Sequence, residues 1–254
     1  MWRRRGRQPA DEGATDLTAG TQSRQPIRRQ GEVNSSRRPR NVDTVSRFRL
    51  TIIALVSLLT MALLSVAVSR GYGAYRLEWH AMRLLGHASD IARWADLADF
   101  LAVPVIVSLV VLSVIVGAIH RIPMRVAAFA AFAAAAVLIN ERVVKPAVQE
   151  RLLGGLSFPS GHVTAVCATA VAMWIALYPV LGRLARVSTF VLGAGWTLLM
   201  SIAVVGAFWH TPVDDVGSIF LSVGVVTAGA AILGPLPPRR APVPIAPARV
   251  LERV

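Results

Sequence analysis

LTIIALVSLLTMALLSVAVS, residues 50–69, is an unbroken apolar run of bilayer-crossing length: a hydrocarbon core takes roughly 20 residues of helix at about 1.5 Å rise each. Five further runs follow, Phe100 to Ile119, Val126 to Ile139, Val163 to Leu181, Ser188 to Trp209 and Val216 to Leu233. None carries an interior charge, and each is bounded by charge, proline or glycine. A backbone facing lipid must satisfy its own hydrogen bonds, so each run is expected to be a helix. The fold class read from this pattern is all-α, a polytopic bundle of six transmembrane helices. A hydrophobic content of 54% and a mean hydropathy of +0.55 over 254 residues exceed what a soluble fold needs.

Arginine placement sets the expected orientation, because short segments rich in Lys and Arg stay cytoplasmic. With the strongly basic N-terminal tail inside, the connections at Arg121 to Arg125 and Arg183 to Arg186 and the Arg239-Arg240 tail also fall inside. Residues 70–97, the 140–162 loop and the 210–215 turn are then outside. Both termini are expected to be cytoplasmic, in a multi-pass protein of the cell membrane.

Residues 1–47 hold the clusters Arg3-Arg4-Arg5, Arg28-Arg29 and Arg37-Arg38 among Gly, Gln, Ser and Pro, and are expected to be a disordered cytoplasmic tail. No aromatic residues interleave with these arginines, so a topogenic or anionic-lipid role is favoured over nucleic-acid binding. Residues 235–254 form a second tail, rich in Pro and Arg. The first apolar run is too long and begins too late for a signal peptide. Cys167 is the sole cysteine, which excludes an intramolecular disulfide and a cysteine-based metal cluster.

Residues able to do chemistry gather on the outer side. The segment 140–151 contains Arg142, Arg151 and Lys145, the one lysine of the chain. Such cations often only mark the interface. Pro159-Ser160-Gly161-His162 changes the weighting: proline ends the loop, serine is a good N-cap, and glycine lets backbone approach a ligand closely. Free N–H groups at that helix start suit a phosphate resting on residues 160–162, beside His162.

His210 lies about fifty residues on, at the end of the fifth run, with Asp214 and Asp215 just beyond Pro212. A carboxylate accepting from Nδ1 would fix the imidazole tautomer and leave Nε2 free as a nucleophile; spacing alone leaves either aspartate open for that role. Two His and an Asp could also ligate a metal, but Lys145 and Arg151 would repel a cation and suit a phosphate dianion, so no metal is expected. His80 and His87 fall in an outer segment whose Trp79, Met82, Leu84 and Leu85 mark an amphipathic stretch.

Over residues 48–234 these features resemble the type 2 phosphatidic acid phosphatase (PAP2) superfamily of six-span lipid phosphatases, whose motifs are K-x6-R-P, P-S-G-H and S-R-x5-H-x3-D. The second motif is complete as Pro159 to His162, and the His-x3-Asp end of the third as His210 and Asp214, which selects Asp214 over Asp215. In the first, Lys145 is present, but Leu152 stands at the arginine position and Arg151 is displaced by one. In the third, Ala203 and Val204 replace the Ser-Arg pair.

The resemblance implies a cofactor-free phosphatase. His210 would attack phosphorus, Asp214 orient it, His162 protonate the leaving group, and Lys145, Arg151, Ser160 and the Gly161 N–H hold the phosphate oxygens. Arg142, Arg76 or Arg83 would be a stand-in for the missing arginine. The implied substrate is a lipid phosphate, namely phosphatidic acid, phosphatidylglycerol phosphate or a polyprenyl diphosphate. The partners are membrane lipids, with no nucleic acid and with homo-oligomerisation left open. Two other readings share the fold: a phosphotransferase to a lipid or sugar acceptor, and a lipid-binding or scaffold protein that has lost catalysis with its arginines.

Overall fold

The computed structural model describes residues 40–71, 75–85, 90–153 and 155–234; the two expected tails, apart from residues 40–47, lie outside the described residues. Among the described residues eight α-helices run in order: α1 (Arg40–Ser69), α2 (Tyr75–Leu85), α3 (Ile91–Ile119), α4 (Pro123–Ile139), α5 (Lys145–Val148), α6 (Gly161–Leu177), α7 (Arg183–Gly206) and α8 (Pro212–Leu233). A π-helical turn, Asn140–Val144, joins α4 to α5. A two-residue hairpin, β1 (Arg151–Leu152) against β2 (Gly155–Leu156), precedes α6.

Among the described residues five helices are long and apolar enough to cross a membrane: Arg47–Ser69, Ile91–Ile119, Pro123–Val148, Arg183–Gly206 and Pro212–Leu233. The expected fourth span is α6, apolar but only 17 residues long. Other boundaries also move outward from the apolar runs. α1 begins at Arg40, inside the stretch read as tail, and α3 begins at Ile91, because neither extension contains a residue that stops a helix. Prolines open α4 and α8 at their first position, where the missing N–H has no partner to lose. Pro104 lies within α3, and the Ser108 hydroxyl donates to its carbonyl at 2.8 Å.

The inner helix is α6, packed against α3, α4, α7 and α8, while α1 lies along α8. Its residues Ala168, Ala172 and Ala176 are fully buried, meeting Phe129 of α4 and Val226 of α8 in one apolar cluster. Small residues permit such close approach where packing replaces a hydrophobic driving force. A second cluster joins Leu101 of α3, Val163 and Val166 of α6 and Met200 and Val204 of α7. Phe158, just before the serine turn, is fully buried flush against α8: a Cβ at Gly217 would meet its ring at 2.7 Å. That contact fixes where the turn into α6 begins.

Candidate active site

The site starts from a buried amide. Asn140 opens the π-turn and is fully buried; its Nδ2 donates to the Ser160 carbonyl at 3.1 Å and to Thr164 Oγ1 at 2.8 Å. These bonds tie the end of α4 to the first turn of α6. Single π-turns within helices change which way the following side chains face and often occur at functional sites. Here the turn presents Glu141 and Lys145 together, Oε1 to Nζ 2.8 Å, over the start of α6.

The next element is the cap of α6. Ser160 is fully buried, and its Oγ accepts from the Val163 N–H at 3.4 Å. Its own N–H donates to the Asp214 carbonyl at 3.3 Å, and its carbonyl accepts from the hydroxyls of Thr164 (2.7 Å) and Ser218 (2.8 Å). Gly161 follows with Glu141 pressed on it: a Cβ there would stand 2.5 Å from Glu141 Oε1 and 3.5 Å from Lys145 Nζ. The bare glycine is what leaves room for the Glu141 carboxylate at this helix start.

α8 is capped as firmly. Thr211 is the N-cap and forms a capping box with Asp214, whose Oδ2 accepts from the Thr211 N–H at 2.8 Å. Oδ2 also lies 3.5 Å from Nδ1 of the buried His210, close enough for an ion pair but longer than an ordinary hydrogen bond. Geometry therefore assigns Asp214, and not Asp215, to the histidine. Asp215 is buried beside the hydroxyls of Ser201 and Ser160. The rings of His162 and His210 are 6.5 Å apart, and Trp209 stacks beside His162 at 5.3 Å.

Both histidines, Glu141, Lys145 and Gly161 line a cavity of about 700 Å³. Its far wall is apolar, formed by Val103, Ile106 and Val107 of α3 with Val137 of α4, while the hairpin borders it at Leu152 and Leu156. Ser160 and Arg151 do not join them. The first is occupied in capping, and the second is exposed on the hairpin outside the lining. Arg142 and Arg83 are exposed and also outside the lining; the Arg76 side chain is outside what is described. Among the described lining residues, Lys145 is the only lysine or arginine. Val204, at the arginine position of the third motif, is fully buried in the α3/α6/α7 cluster, and its carbonyl accepts from the N–H groups of Trp209 and His210. Among the described residues no three His, Cys, Asp or Glu gather as metal ligands.

One neighbour went unnoticed in the sequence. Glu78 of α2 is buried, and burial, then the Asp214 charge, raise its carboxyl above the ordinary range, against hydrogen bonding from Thr211 and the Val213 backbone. Trp79 beside it packs 6.5 Å from Phe208. The available signal was a glutamate sharing a helix face with Met82 and Leu85, where an exposed glutamate would not be.

Glu141, Lys145, Gly161, His162 and His210 of this cavity fall in one stretch of chain that matches a known family. Residues 141–235 match the PAP2 superfamily. This supports the resemblance read from the motifs, and the matched stretch contains Lys145, the Pro159 to His162 turn, His210 and Asp214. The fold is similar to that of the crystal structure described as the first transmembrane PAP2 type phosphatidylglycerolphosphate phosphatase from Bacillus subtilis. The TM-score is 0.59 at 15% identity, covering 70% of this chain and 94% of that one. No curated protein sequence matches this chain. The apolar helices and the PAP2 fold make this a membrane protein.

Proposed function

We propose that this chain is a membrane-integral, metal-independent lipid phosphate phosphatase working through a phosphohistidine. The observation that carries the reading is one cavity with His162, His210 and Lys145 at its polar end and an apolar wall leading away from them. Such a shape suits an amphiphile whose phosphate sits at headgroup depth while its tail lies among helices. In this reading α6 is the fourth of six spans, both termini are cytoplasmic, and the cavity opens on the outer face. Phosphatidic acid, phosphatidylglycerol phosphate and polyprenyl diphosphate are the substrates to try.

The Nδ1 side of His210 faces Asp214, so Nε2 is the nucleophile. It bonds to phosphorus as the bond to the leaving oxygen breaks, and that oxygen takes a proton from His162. Water then attacks phosphorus, giving its proton to His162 and freeing phosphate from Nε2. Asp214 stabilises the charge that develops on His210, while Lys145 and the Gly161 N–H face the equatorial oxygens. Positioning and electrostatics supply most of the rate in such transfers.

A second reading, a lipid-binding protein that has lost catalysis, is favoured by Leu152 and the buried Val204 at the two arginine positions. One experiment separates them: phosphate release from the three lipids by detergent-purified protein with chelator present, beside His210→Ala. Release that falls by about 10³-fold or more in the variant is expected. Release equal in both proteins refutes the phosphohistidine, and silence from the parent where a known phosphatase works favours the binding protein.

A further inference from the structure

The site contains its own anion. Glu141 Oε1 reaches Lys145 Nζ at 2.8 Å and lies against Gly161, the first residue of α6, where a Cβ would be only 2.5 Å away. A cation on one side and the start of a helix on the other are what a phosphate oxygen seeks, so the carboxylate occupies the seat a substrate phosphate would take. Lys145 is held there with its side chain 13% exposed, whereas Glu141 is 42% exposed. No arginine offsets the glutamate: among the described lining residues Lys145 is the only permanent cation, Leu152 and Val204 stand at the family's arginine positions, and Asp214 lies behind His210. A phosphate entering this seat meets one lysine already paired.

We propose that Glu141 is the charge-selectivity residue of this site, which admits a phosphate bearing one negative charge, a diester or a singly protonated monoester, ahead of a dianionic terminal phosphate. The proposal rests on the lipid-phosphate reading of the same cavity and names the charge its ligand carries. Like charges a few ångströms apart in a partly dry site repel strongly, and a second charge on the ligand meets that repulsion twice. The chemistry accommodates a diester without new groups. His210 Nε2 bonds to phosphorus as one alcohol leaves with the His162 proton, and water then frees the remaining monoester from the nitrogen.

The test is equilibrium binding on the His210→Ala background, so that turnover does not interfere. Phosphatidic acid and its methyl ester, phosphatidylmethanol, differ by one charge at pH 9, well above the second ionisation of a phosphomonoester near about 6. His210→Ala is expected to bind the methyl ester about tenfold or more tightly than phosphatidic acid. Adding Glu141→Gln should tighten phosphatidic acid by about tenfold and the ester by about threefold or less. Adding Glu141→Asp, which keeps the charge, should leave the ester preferred, and thermal unfolding of each protein checks the fold.

Equal or stronger binding of phosphatidic acid by His210→Ala overturns the proposal, as does an unchanged ratio in the glutamine variant or no binding of either lipid. Turnover by the parent is read separately. A parent that binds with this selectivity yet releases neither alcohol nor phosphate refutes the phosphatase while leaving the selectivity standing.

Discussion

The two ends of α6 obey the same electrostatics with opposite outcomes. At its C-terminus the chain supplies the cations: Arg125 Nε and Nη2 donate to the carbonyls of Ala176 and Ile175 at 3.0 and 3.1 Å, and the guanidinium lies over Phe129. Just beyond, Arg186 donates to the Tyr178 carbonyl at 2.9 Å and stacks on its ring at 4.2 Å. Each bond fixes a planar fork onto the negative pole of the helix. At the N-terminus the opposite charge is required, and the chain places there one movable carboxylate beside one lysine. Arginine closes one pole as structure, while the other, on the proposed reading, is the one that takes a ligand.

Substitutions can break this contrast or sharpen it. The largest effect is expected from Asp214→Asn at the ligand-taking end. Asparagine at this position keeps a carbonyl oxygen to accept from the Thr211 N–H of the capping box, so Tm should fall little, while kcat falls by about 10³- to 10⁴-fold because the His210 tautomer is no longer fixed. Steady-state kinetics beside a melting curve would show it, and an equal loss of both would place Asp214 in the structure alone.

Asn140→Ala should blur the contrast by releasing the π-turn from α6. Losing the buried bonds to Ser160 and Thr164 is expected to cost about 2–3 kcal/mol of stability, and KM should rise as Lys145 drifts from Gly161. Unchanged KM would show that the π-turn does not position Lys145. Arg125→Met attacks the structural end only: about 1–2 kcal/mol of stability should go, with kcat/KM unchanged in the folded fraction.

Smallest is Glu78→Gln. Burial and the Asp214 charge raise this carboxyl from its ordinary value of 4.5, so ionised Glu78 works against the fold. Its contribution is full below the ordinary value and is lost as pH rises through the raised one. The variant should flatten the parent's fall in Tm over that window, and parallel curves would remove Glu78 from the pH response.

The chemistry was more legible than the architecture around it. Pro159 to His162 and His210 to Asp214 are short, local and next to helix starts, so cap preferences and family spacing locate them. The same reading placed Ser160 and Arg151 on the phosphate, since residue type says nothing of direction: Ser160 Oγ faces the Val163 N–H, and Arg151 sits on a two-residue strand. The π-turn was not readable because Asn140-Glu141-Arg142-Val143-Val144 has no breaker; its register is set by tertiary bonds from Asn140. Nor does α6 disclose its facing, being apolar all round, as helices covered on every side are. Among the described residues five helices reach membrane-span length, because the alanine-rich third run continues as far as Val148 while α6 stops at Leu177.

The Ser218 hydroxyl is within hydrogen-bonding reach of the carbonyls of both Ser160, at 2.8 Å, and Asp214, at 2.7 Å, so the two histidine-bearing turns are riveted into one chassis. The apolar wall of the cavity is carried by α3 and α4, and the end of α4 is tied to the same Ser160 carbonyl through Asn140. No hydrogen bond of that tie comes from α3, so on the proposed lipid reading Val103, Ile106 and Val107 are where a protein engineer would recut the wall to change the length of tail it takes.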